Sequence, residues 1–410
     1  MLSIISLFDD RARPKGSRDP LGLEAIWSFM GRKVVGNLTT VTSNLENFVV
    51  ALLCCHHANS NWSKLEDVQV QFMRAEQLAA YLKLSYSNQS QLIGFLGITR
   101  AKNNFQDERI SLGVHPDAQL LSDQLSYGLW GLYSSAMTGA GLISGSERKP
   151  TSIGKELIDD IIGVLGKDQW RKFSDIVTQN VFEKTAIKDI SESFGAMLMS
   201  SELRQMVVNA LISKQKHCEL QSKLYVYANE YLEKSNDADD STAQKFCNWL
   251  LENESADSSL KEAIEEINDI ETLLVIANTV MSWMQGQKNQ PVKNLQEILE
   301  KRLKGVQCKA SKPQKSIPYH EFLNNLLSAI NKPSASEVIS ILAKQNKDVM
   351  QSRGGAAWVE IDSQQQLKVR VPNDKADLPV HFVSHSQKWQ NSYFMGSFLN
   401  IIKQGKSWKH

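Results

Sequence analysis

The stretch GRKVVGNLTT, which starts at Gly31, nearly matches a phosphate-binding loop. Such a loop needs two glycines five positions apart, then a lysine that reaches the phosphates and a hydroxyl that holds magnesium. Gly31 and Gly36 have this spacing, but Asn37 and Leu38 stand where the lysine and the hydroxyl are needed. We therefore interpret the glycines as punctuation around a short link, with Gly31 ending the first helix, and not as a nucleotide site.

Four consecutive residues, Cys54, Cys55, His56 and His57, all have side chains of the types that bind zinc. Successive residues of a helix point about 100° apart, and structural zinc sites use spaced pairs of ligands. Because no companion pair stands elsewhere in the chain, the sequence predicts no metal site and no cofactor. The five cysteines are an odd number without C-x-x-C spacing, which indicates reduced thiols.

An acidic cluster lies on a predicted helix whose apolar face carries Ile264, Ile267 and Ile270. Carboxylates on helices form di-metal sites when Glu-x-x-His pairs face the core of a bundle. No such histidine occurs here, so we interpret the acidic residues as a solvated helix face. They are Glu262, Glu265, Glu266, Asp269 and Glu271.

The chain contains no G-x-S-x-G elbow, no H-E-x-x-H and no kinase signature. Glu360 and Asp362 lie on a predicted strand, but the lysine that a restriction-type nuclease would add does not follow them. Catalytic groups also assemble from distant positions in a chain. An enzyme whose site combines Glu360, Asp362 and His385 therefore stays open as an alternative.

Hydrophobic periodicity predicts a mainly α, multi-helical fold with a small β-hairpin near the C-terminus. The length of 410 residues, with 42% hydrophobic and 22% charged content, indicates a folded protein of two to three domains. Ser43 and Glu46 have the spacing of a capping box at the start of the second helix. We expect an N-terminal arm with helices over 1–64, a winged-helix-like domain over 65–163, a helical domain over 164–305 and an α+β domain over 317–410.

The order of elements after Gln124 resembles the end of a winged-helix domain. A helix over Gln124–Ala140 is followed by a short strand at Leu142-Ile143, a polar turn, and a T-x-x-G-x-x-L return that starts at Thr151. The resemblance implies that Tyr127, Ser134, Ser135 and Thr138 lie on a recognition helix, with Arg148 and Lys149 in the wing. Near the C-terminus, AAWVEID, QQLKVRV and LPVHFV have strand-like alternation, which indicates a second module of this kind.

The predicted recognition helix carries no Arg or Lys between Asp123 and Ser146. Base readout and phosphate neutralisation both depend on such residues, so we favour a module that contacts protein over one that reads DNA. A winged-helix DNA-binding regulator that contacts double-stranded DNA is the alternative. Its basic surface would comprise Arg11, Arg13, Lys15, Arg18, Arg148, Lys149, Lys304, Lys309, Lys312 and Lys315.

Charge is unevenly distributed although the net charge is only +1. Residues 230–271 hold 13 acidic and 3 basic residues, whereas residues 300–353 hold 10 basic and 4 acidic residues. This asymmetry indicates either separate faces for separate partners or a set of solvated helix faces. The longest apolar run is far shorter than the ~20 residues that span a bilayer, and the first residues lack the basic lead of a secretory signal. We expect a cytoplasmic protein without a membrane partner.

Four segments of the chain together resemble uncharacterised accessory proteins encoded in bacterial anti-phage defence islands. The segments are Arg18–Gly22, Gly31–Thr40, Leu129–Tyr133 and Asn391–Phe394. The resemblance implies a partner ATPase, helicase or nuclease of the same defence system. Our first hypothesis is therefore a non-catalytic adaptor that assembles such a complex and helps it to hold DNA.

Overall fold

The computed structural model describes residues 19–213, 219–234, 243–308 and 312–406. The fold is mainly α, as predicted, and the described strands form two-stranded antiparallel sheets, including the expected hairpin near the C-terminus. The chain divides into two compact units. Unit 1 comprises Met1–Lys33 and Thr242–Tyr393, and unit 2 comprises Val34–Ser241 and Phe394–His410. The four-segment domain division made from sequence stays a prediction.

The helices are numbered along the chain. They are α1 Leu23–Val35, α2 Leu45–Ser60, α3 Leu65–Ser85, α4 Ile98–Asn104, α5 Gln124–Tyr127, α6 Leu129–Gly139, α7 Ser152–Leu165, α8 Lys167–Thr178, α9 Lys188–Met199, α10 Ser201–Val208, α11 Glu219–Lys234, α12 Ala243–Glu252, α13 Ser258–Gln285, α14 Val292–Leu303, α15 His320–Asn331, α16 Ala335–Ser352, α17 Phe382–Ser386 and α18 Met395–Lys406.

The strands form three two-stranded antiparallel sheets within the described residues. They are β1 Arg109–Ser111 with β4 Val181–Glu183, β2 Ile143–Ser144 with β3 Lys149–Pro150, and β5 Val359–Ile361 with β6 Leu367–Val369. Strand β4 lies in a segment that the sequence predicts to be helical. Its alternating burial, with only Phe182 turned into the core, fits a short strand that covers one edge of β1.

The core of unit 2 forms around α2 and α3, which pack against each other. Aromatic rings join them to later helices. Phe48 on α2 meets Tyr133 edge-on with ring centroids 4.8 Å apart, and Phe72 on α3 meets Trp130 in the same way at 5.1 Å. In unit 1 the long helix α13 is the centre, and α12, α15, α16 and α17 pack around it.

The helix end predicted at Gly31 is wrong. Helix α1 continues through Gly31 to Val35, and Gly36 follows it with φ +67°, a left-handed conformation that suits glycine at a helix end. The Gln221 side chain donates to the Val35 carbonyl at 2.7 Å and so satisfies one group left open at that end. Glycine therefore does end the helix, but five residues later than predicted.

The predicted capping box at the start of α2 is also wrong. Asn44 is the N-cap, and its side chain accepts a hydrogen bond from the Glu46 backbone N–H at 2.9 Å. The Glu46 carboxylate is instead buried and ion-paired. Asparagine caps helices as well as serine does, so the sequence offered two candidates one residue apart.

The helix, short strand, polar turn and following helix predicted after Gln124 are present, and the structure adds a second short strand, β3, before the last helix. The single helix predicted there is two, α5 and α6, because Gly128 between them is extended and a Cβ at that position would lie 2.8 Å from the Glu76 carboxylate. Thr151 caps α7, accepting from the Gly154 N–H at 3.1 Å and donating to the Gly141 carbonyl at 2.6 Å. The winged-helix architecture itself stays a prediction.

The strand predicted at LPVHFV is wrong. The backbone turns there and enters the short helix α17, in which Phe382 is buried and Val383 is exposed, while Val380 before the helix is also exposed. One buried apolar residue flanked by exposed ones also occurs on a short helix, so alternation over six residues did not distinguish the two structures.

Candidate functional site

An exposed apolar cluster in unit 1 is the strongest candidate for a binding surface. Val380 is 73% exposed, the largest fraction among the large apolar side chains of the described residues, and Ile298 and Val383 are 44% and 39% exposed. The Arg302 guanidinium donates to the Val380 carbonyl at 3.4 Å, which holds the segment before α17 against α14. We call the surface formed by Ile298, Val380 and Val383 the α14–α17 patch.

Basic side chains edge the α14–α17 patch. Lys301 and Arg302 follow Ile298 by three and four positions and so share its side of α14. Glu297 and Glu300 lie about 100° or more around the helix from Ile298, because each residue advances by about 100°. Glu300 therefore faces away from the apolar centre, whereas Glu297, four positions before Lys301, lies next to that lysine at the edge of the patch.

The structure describes three of the four lysines that the predicted basic DNA-binding surface takes from residues 304–315. Lys304, Lys312 and Lys315 are exposed, and none of the three has an ion-pair partner among the residues that the structure describes. They lie in unit 1. Lys309 and the four basic residues of the N-terminal arm, Arg11, Arg13, Lys15 and Arg18, lie outside the described residues.

Of the two residues predicted for the wing, Arg148 makes contacts within its own unit and Lys149 is exposed. The Arg148 guanidinium lies over the Trp130 ring at 5.3 Å and donates to the Gly145 carbonyl at 3.1 Å. Stacking on tryptophan holds the arginine against its own domain through a cation–π contact. Arg148 is thus a packing residue at the tip of the β2–β3 turn.

The residues expected on the recognition helix separate into two groups. Tyr127 is 63% exposed, and Ser135 and Thr138 are exposed on α6. Ser134 is buried on α6, and its hydroxyl donates to the Trp130 carbonyl within the helix, so it is not part of the outer face of that helix. The outer face of α6 offers hydroxyls and a glycine, which neutralise no phosphate charge.

Glu360 and Asp362, two of the three residues of the alternative catalytic group, make structural contacts. Glu360 accepts from Arg370 at 2.8 Å and pairs with Lys347 at 3.6 Å, and these contacts lower the pKa of its carboxyl. Asp362 accepts two backbone N–H groups of its own turn, from Gln364 and Gln366, both at 2.9 Å, and these contacts lower its pKa.

His385, the third member of that group, has partners of its own. Its Nε2 lies 3.1 Å from the Thr279 hydroxyl and 3.5 Å from the Gln390 amide. Across the described chain, no contact joins His385 to either Glu360 or Asp362.

The Cys-Cys-His-His run lies in an aromatic core. Cys54, Cys55 and His57 are buried on α2, and the His57 ring packs 5.5 Å from Trp62. Burial raises the pKa of Cys55 to about 12 and lowers that of His57 to about 4, so both side chains are neutral near pH 7. Within the described ranges no three His, Cys, Asp or Glu side chains converge to hold a metal ion.

Glu271 departs from the solvated face predicted for the acidic helix. Its carboxylate is buried and accepts from the backbone N–H groups of Gln390 and Asn391, from the Asn391 amide, and from the Tyr393 hydroxyl at 2.6 Å. Four donors on one carboxylate fix the segment before Tyr393 against α13. Burial nevertheless raises the pKa of Glu271, because desolvation outweighs the donors.

The sequence analysis did not predict two buried carboxylates of unit 2, those of Glu46 and Glu76. The Glu46 carboxylate pairs with Lys83 at 2.7 Å and with Arg204 at 2.8 Å. The Glu76 carboxylate on α3 accepts from the Gln124 amide and from the backbone N–H of Leu129 at the start of α6, both at 2.8 Å. The available signal was a charged residue inside an apolar helical run, as in LENFVVALL and RAEQLAAYL.

No protein-family model matches the chain, and neither a curated protein nor a solved structure matches it. Among the residues that the structure describes, no helix is long and apolar enough to cross a lipid bilayer.

Proposed function

We propose that this chain is a non-catalytic adaptor that docks a partner protein on the α14–α17 patch. The observation that carries the proposal is the exposure of Ile298 on α14 and of Val380 and Val383 in the segment that Arg302 joins to α14, with Lys301 and Arg302 on the Ile298 side of the helix. Exposed apolar side chains rimmed by polar ones mark protein-binding surfaces. The resemblance to accessory proteins of bacterial defence islands suggests a partner ATPase, helicase or nuclease.

Charge complementarity defines the partner's contact segment. A cationic edge around an apolar centre fits a short segment that has one or two apolar side chains flanked by carboxylates. The apolar side chains would supply affinity by covering Val380 and Val383, and the carboxylates would orient the segment against Lys301 and Arg302.

The contacts of the acidic candidates support a role without catalysis. Glu360 and Asp362 are held by cations or backbone donors, and Glu271 is held by four donors. A general base needs an oxygen within reach of a substrate proton. Carboxylates saturated by structural partners suit a rigid scaffold better.

The test is the double variant Val380→Glu/Val383→Glu, purified from the source cells beside the wild-type chain. Val226→Glu is the matched control, because Val226 is a 62% exposed valine of unit 2. A partner identified by mass spectrometry is then purified and titrated calorimetrically. We expect wild type and control to bind equally and the double variant to bind at least a hundredfold more weakly, since each glutamate adds buried charge and repels an acidic segment.

Equal binding by the double variant would move the docking surface elsewhere and overturn the proposal. Self-association of the pure wild-type chain that is lost in the double variant would make a second copy the occupant. Sedimentation velocity of both proteins distinguishes the two outcomes.

A second candidate function is DNA binding, supported by the exposure of Lys304, Lys312 and Lys315 without ion-pair partners in the described part of the chain. Three such lysines on one link suit a strap along a phosphate backbone. This function would add a DNA contact to the adaptor.

A further inference from the structure

Unit 2 contains a groove with a volume of about 670 Å³. It lies between the C-terminal end of α3, the 3-10 helix Gln89–Gln91, the loop that follows it, and α4. Ligand pockets of proteins typically have volumes of about 300–1,000 Å³, so the groove is large enough for a small organic molecule.

The walls combine apolar side chains with cations. Phe95, Ile98 and Phe105 line the groove and are half-buried, while Lys83 and Lys102 contribute ammonium groups. None of the lining residues is acidic. A third amine, that of Lys184, lies 4.4 Å from the centre of the Phe105 ring.

Lys83 is a buried cation that keeps one donor free. Its side chain is 3% exposed, and its Nζ donates to Glu46 at 2.7 Å and to the Ile93 carbonyl at 2.8 Å. An ammonium has three N–H donors, and the third has no acceptor among the described residues. The centre of the Phe95 ring lies 5.7 Å from Nζ, and a contact with a ring at this distance is not a hydrogen bond.

Lys83, Arg204 and Glu46 form a buried cluster behind the groove, and its net charge is positive. Glu46 is shared by Lys83 and Arg204, so two cations face one carboxylate. A single added negative charge would balance the cluster. The balance favours a monoanion over a dianion, because a second charge would find no matching cation inside the protein.

Lys83 and Phe95 also line a narrow inner cavity that reaches Glu76. Its volume is about 20 Å³, enough for a water molecule and too small for an organic ligand. An occupant therefore lies in the outer groove, against Phe95, Ile98 and Phe105.

We propose that this groove binds a small molecule with an apolar body and one carboxylate group. The carboxylate accepts a charge-assisted hydrogen bond from Lys83 and is attracted by Lys102, and the apolar body covers the half-buried aromatic and aliphatic side chains. This site is independent of the docking proposed for unit 1.

The probe is sodium decanoate, titrated calorimetrically into the full chain below its micelle-forming concentration. Decanol is the neutral control of equal length, acetate is the anion without an apolar body, and decyl phosphate is the dianionic alternative. We expect saturable one-to-one binding of decanoate that is at least tenfold tighter than that of any of the three controls.

Two variants test the location. Lys102→Glu reverses an exposed charge at the groove, and Lys172→Glu makes the same change on α8, away from it. We expect a tenfold or larger loss for Lys102→Glu and none for Lys172→Glu. Ile98→Trp fills the groove and should abolish binding. Lys83→Met is unsuitable because it removes the buried partner of Glu46.

Several results would overturn the proposal. Non-saturable uptake of decanoate, or equal binding of decanol, would show that no carboxylate is recognised. Tighter binding of decyl phosphate would replace the carboxylate by a phosphate group. Equal affinities of Lys102→Glu and Lys172→Glu, or unchanged affinity of Ile98→Trp, would place the site elsewhere.

Discussion

At the scale of single residues, Glu76 has a carboxyl whose protonation should influence stability near neutral pH. Burial raises its pKa from the usual 4.5 to about 7, and no cation pairs with it among the residues that the structure describes. The neighbouring groups are Cys54, whose own pKa is raised so that it stays a neutral thiol, and Lys83, which lines the same narrow cavity. Burial also lowers the pKa of Lys83, so the comparison with Glu76→Gln isolates the contribution of Glu76.

The folded state holds the Glu76 proton more tightly than the unfolded state, so its contribution to stability is present below the unfolded pKa and is lost as pH rises through 7. The free energy of unfolding of wild type minus that of Glu76→Gln should fall by about 3 kcal/mol between pH 4 and pH 8. Urea unfolding of both proteins across this range measures it. A difference that does not change with pH would contradict the assignment.

The Glu46 carboxylate should be among the most sensitive positions of unit 2. Glu46→Ala leaves the ammonium of Lys83, 3% exposed, without its counter-charge, and it also releases Arg204. Breaking a buried pair in this way costs about 3–5 kcal/mol. The matched control is Asp168→Ala, which breaks the exposed pair with Arg171 and should change stability little. Equal denaturation midpoints for the two variants would refute the buried pair.

Residue types and spacing predicted which residues could do chemistry but not how their partners are arranged. The Cys-Cys-His-His run was correctly taken as helical, whereas the burial of Glu271 could not be foreseen. Its four donors come from Gln390, Asn391 and Tyr393, about 120 positions along the chain. Contacts at such separation leave no periodic signal in either segment.

At the scale of elements, two glycines of unit 2 should respond oppositely to the same substitution. Gly36→Ala places a Cβ on a residue with φ +67° and 3.0 Å from the Gln221 amide that caps α1, so we expect a loss of about 1–2 kcal/mol. Gly163→Ala lies inside α7 with open space around its Cβ, so we expect a gain of about 0.5–1 kcal/mol. Thermal unfolding of both variants gives the signs, and a shift in the same direction would contradict this account.

Long helices and strand pairs that are close in sequence were predictable, whereas a short strand with a distant partner was not. The apolar stripes of α3 and α13 and the hairpin of β5 and β6 follow from sequence. Strand β4 has three residues and is stabilised by pairing with β1, more than 70 positions earlier. Local propensity over three residues carries too little information to reveal such a partner.

At the scale of the whole molecule, two of the three boundaries between the units lie at positions that composition does not mark, and the third, after Ser241, follows the acidic run Asp237–Asp240. One boundary falls within α1, and another separates Tyr393 from Phe394. Both units are built from segments distant in sequence, so linkers and charge runs could not define them. The basic link around Lys304–Lys315 lies inside unit 1.

The distribution of basic residues leads to a prediction about DNA. Three exposed lysines, Lys304, Lys312 and Lys315, can neutralise about three phosphates, and the outer face of α6 adds none. The affinity of the purified chain for a duplex should therefore fall with salt with a logarithmic slope near −2.7, since each phosphate contributes about −0.9. Fluorescence anisotropy of a labelled duplex over a range of salt concentrations measures this slope.

Charge reversal of the three lysines should remove this DNA binding. The matched control reverses Lys167, Lys172 and Lys188, three exposed lysines of unit 2, and should keep the slope. A slope of −5 or steeper that survives reversal of Lys304, Lys312 and Lys315 would indicate a larger basic surface and favour the regulator over the adaptor. The control matters because either triple reversal changes the net charge by the same amount, so only the position of the charge differs between the two proteins.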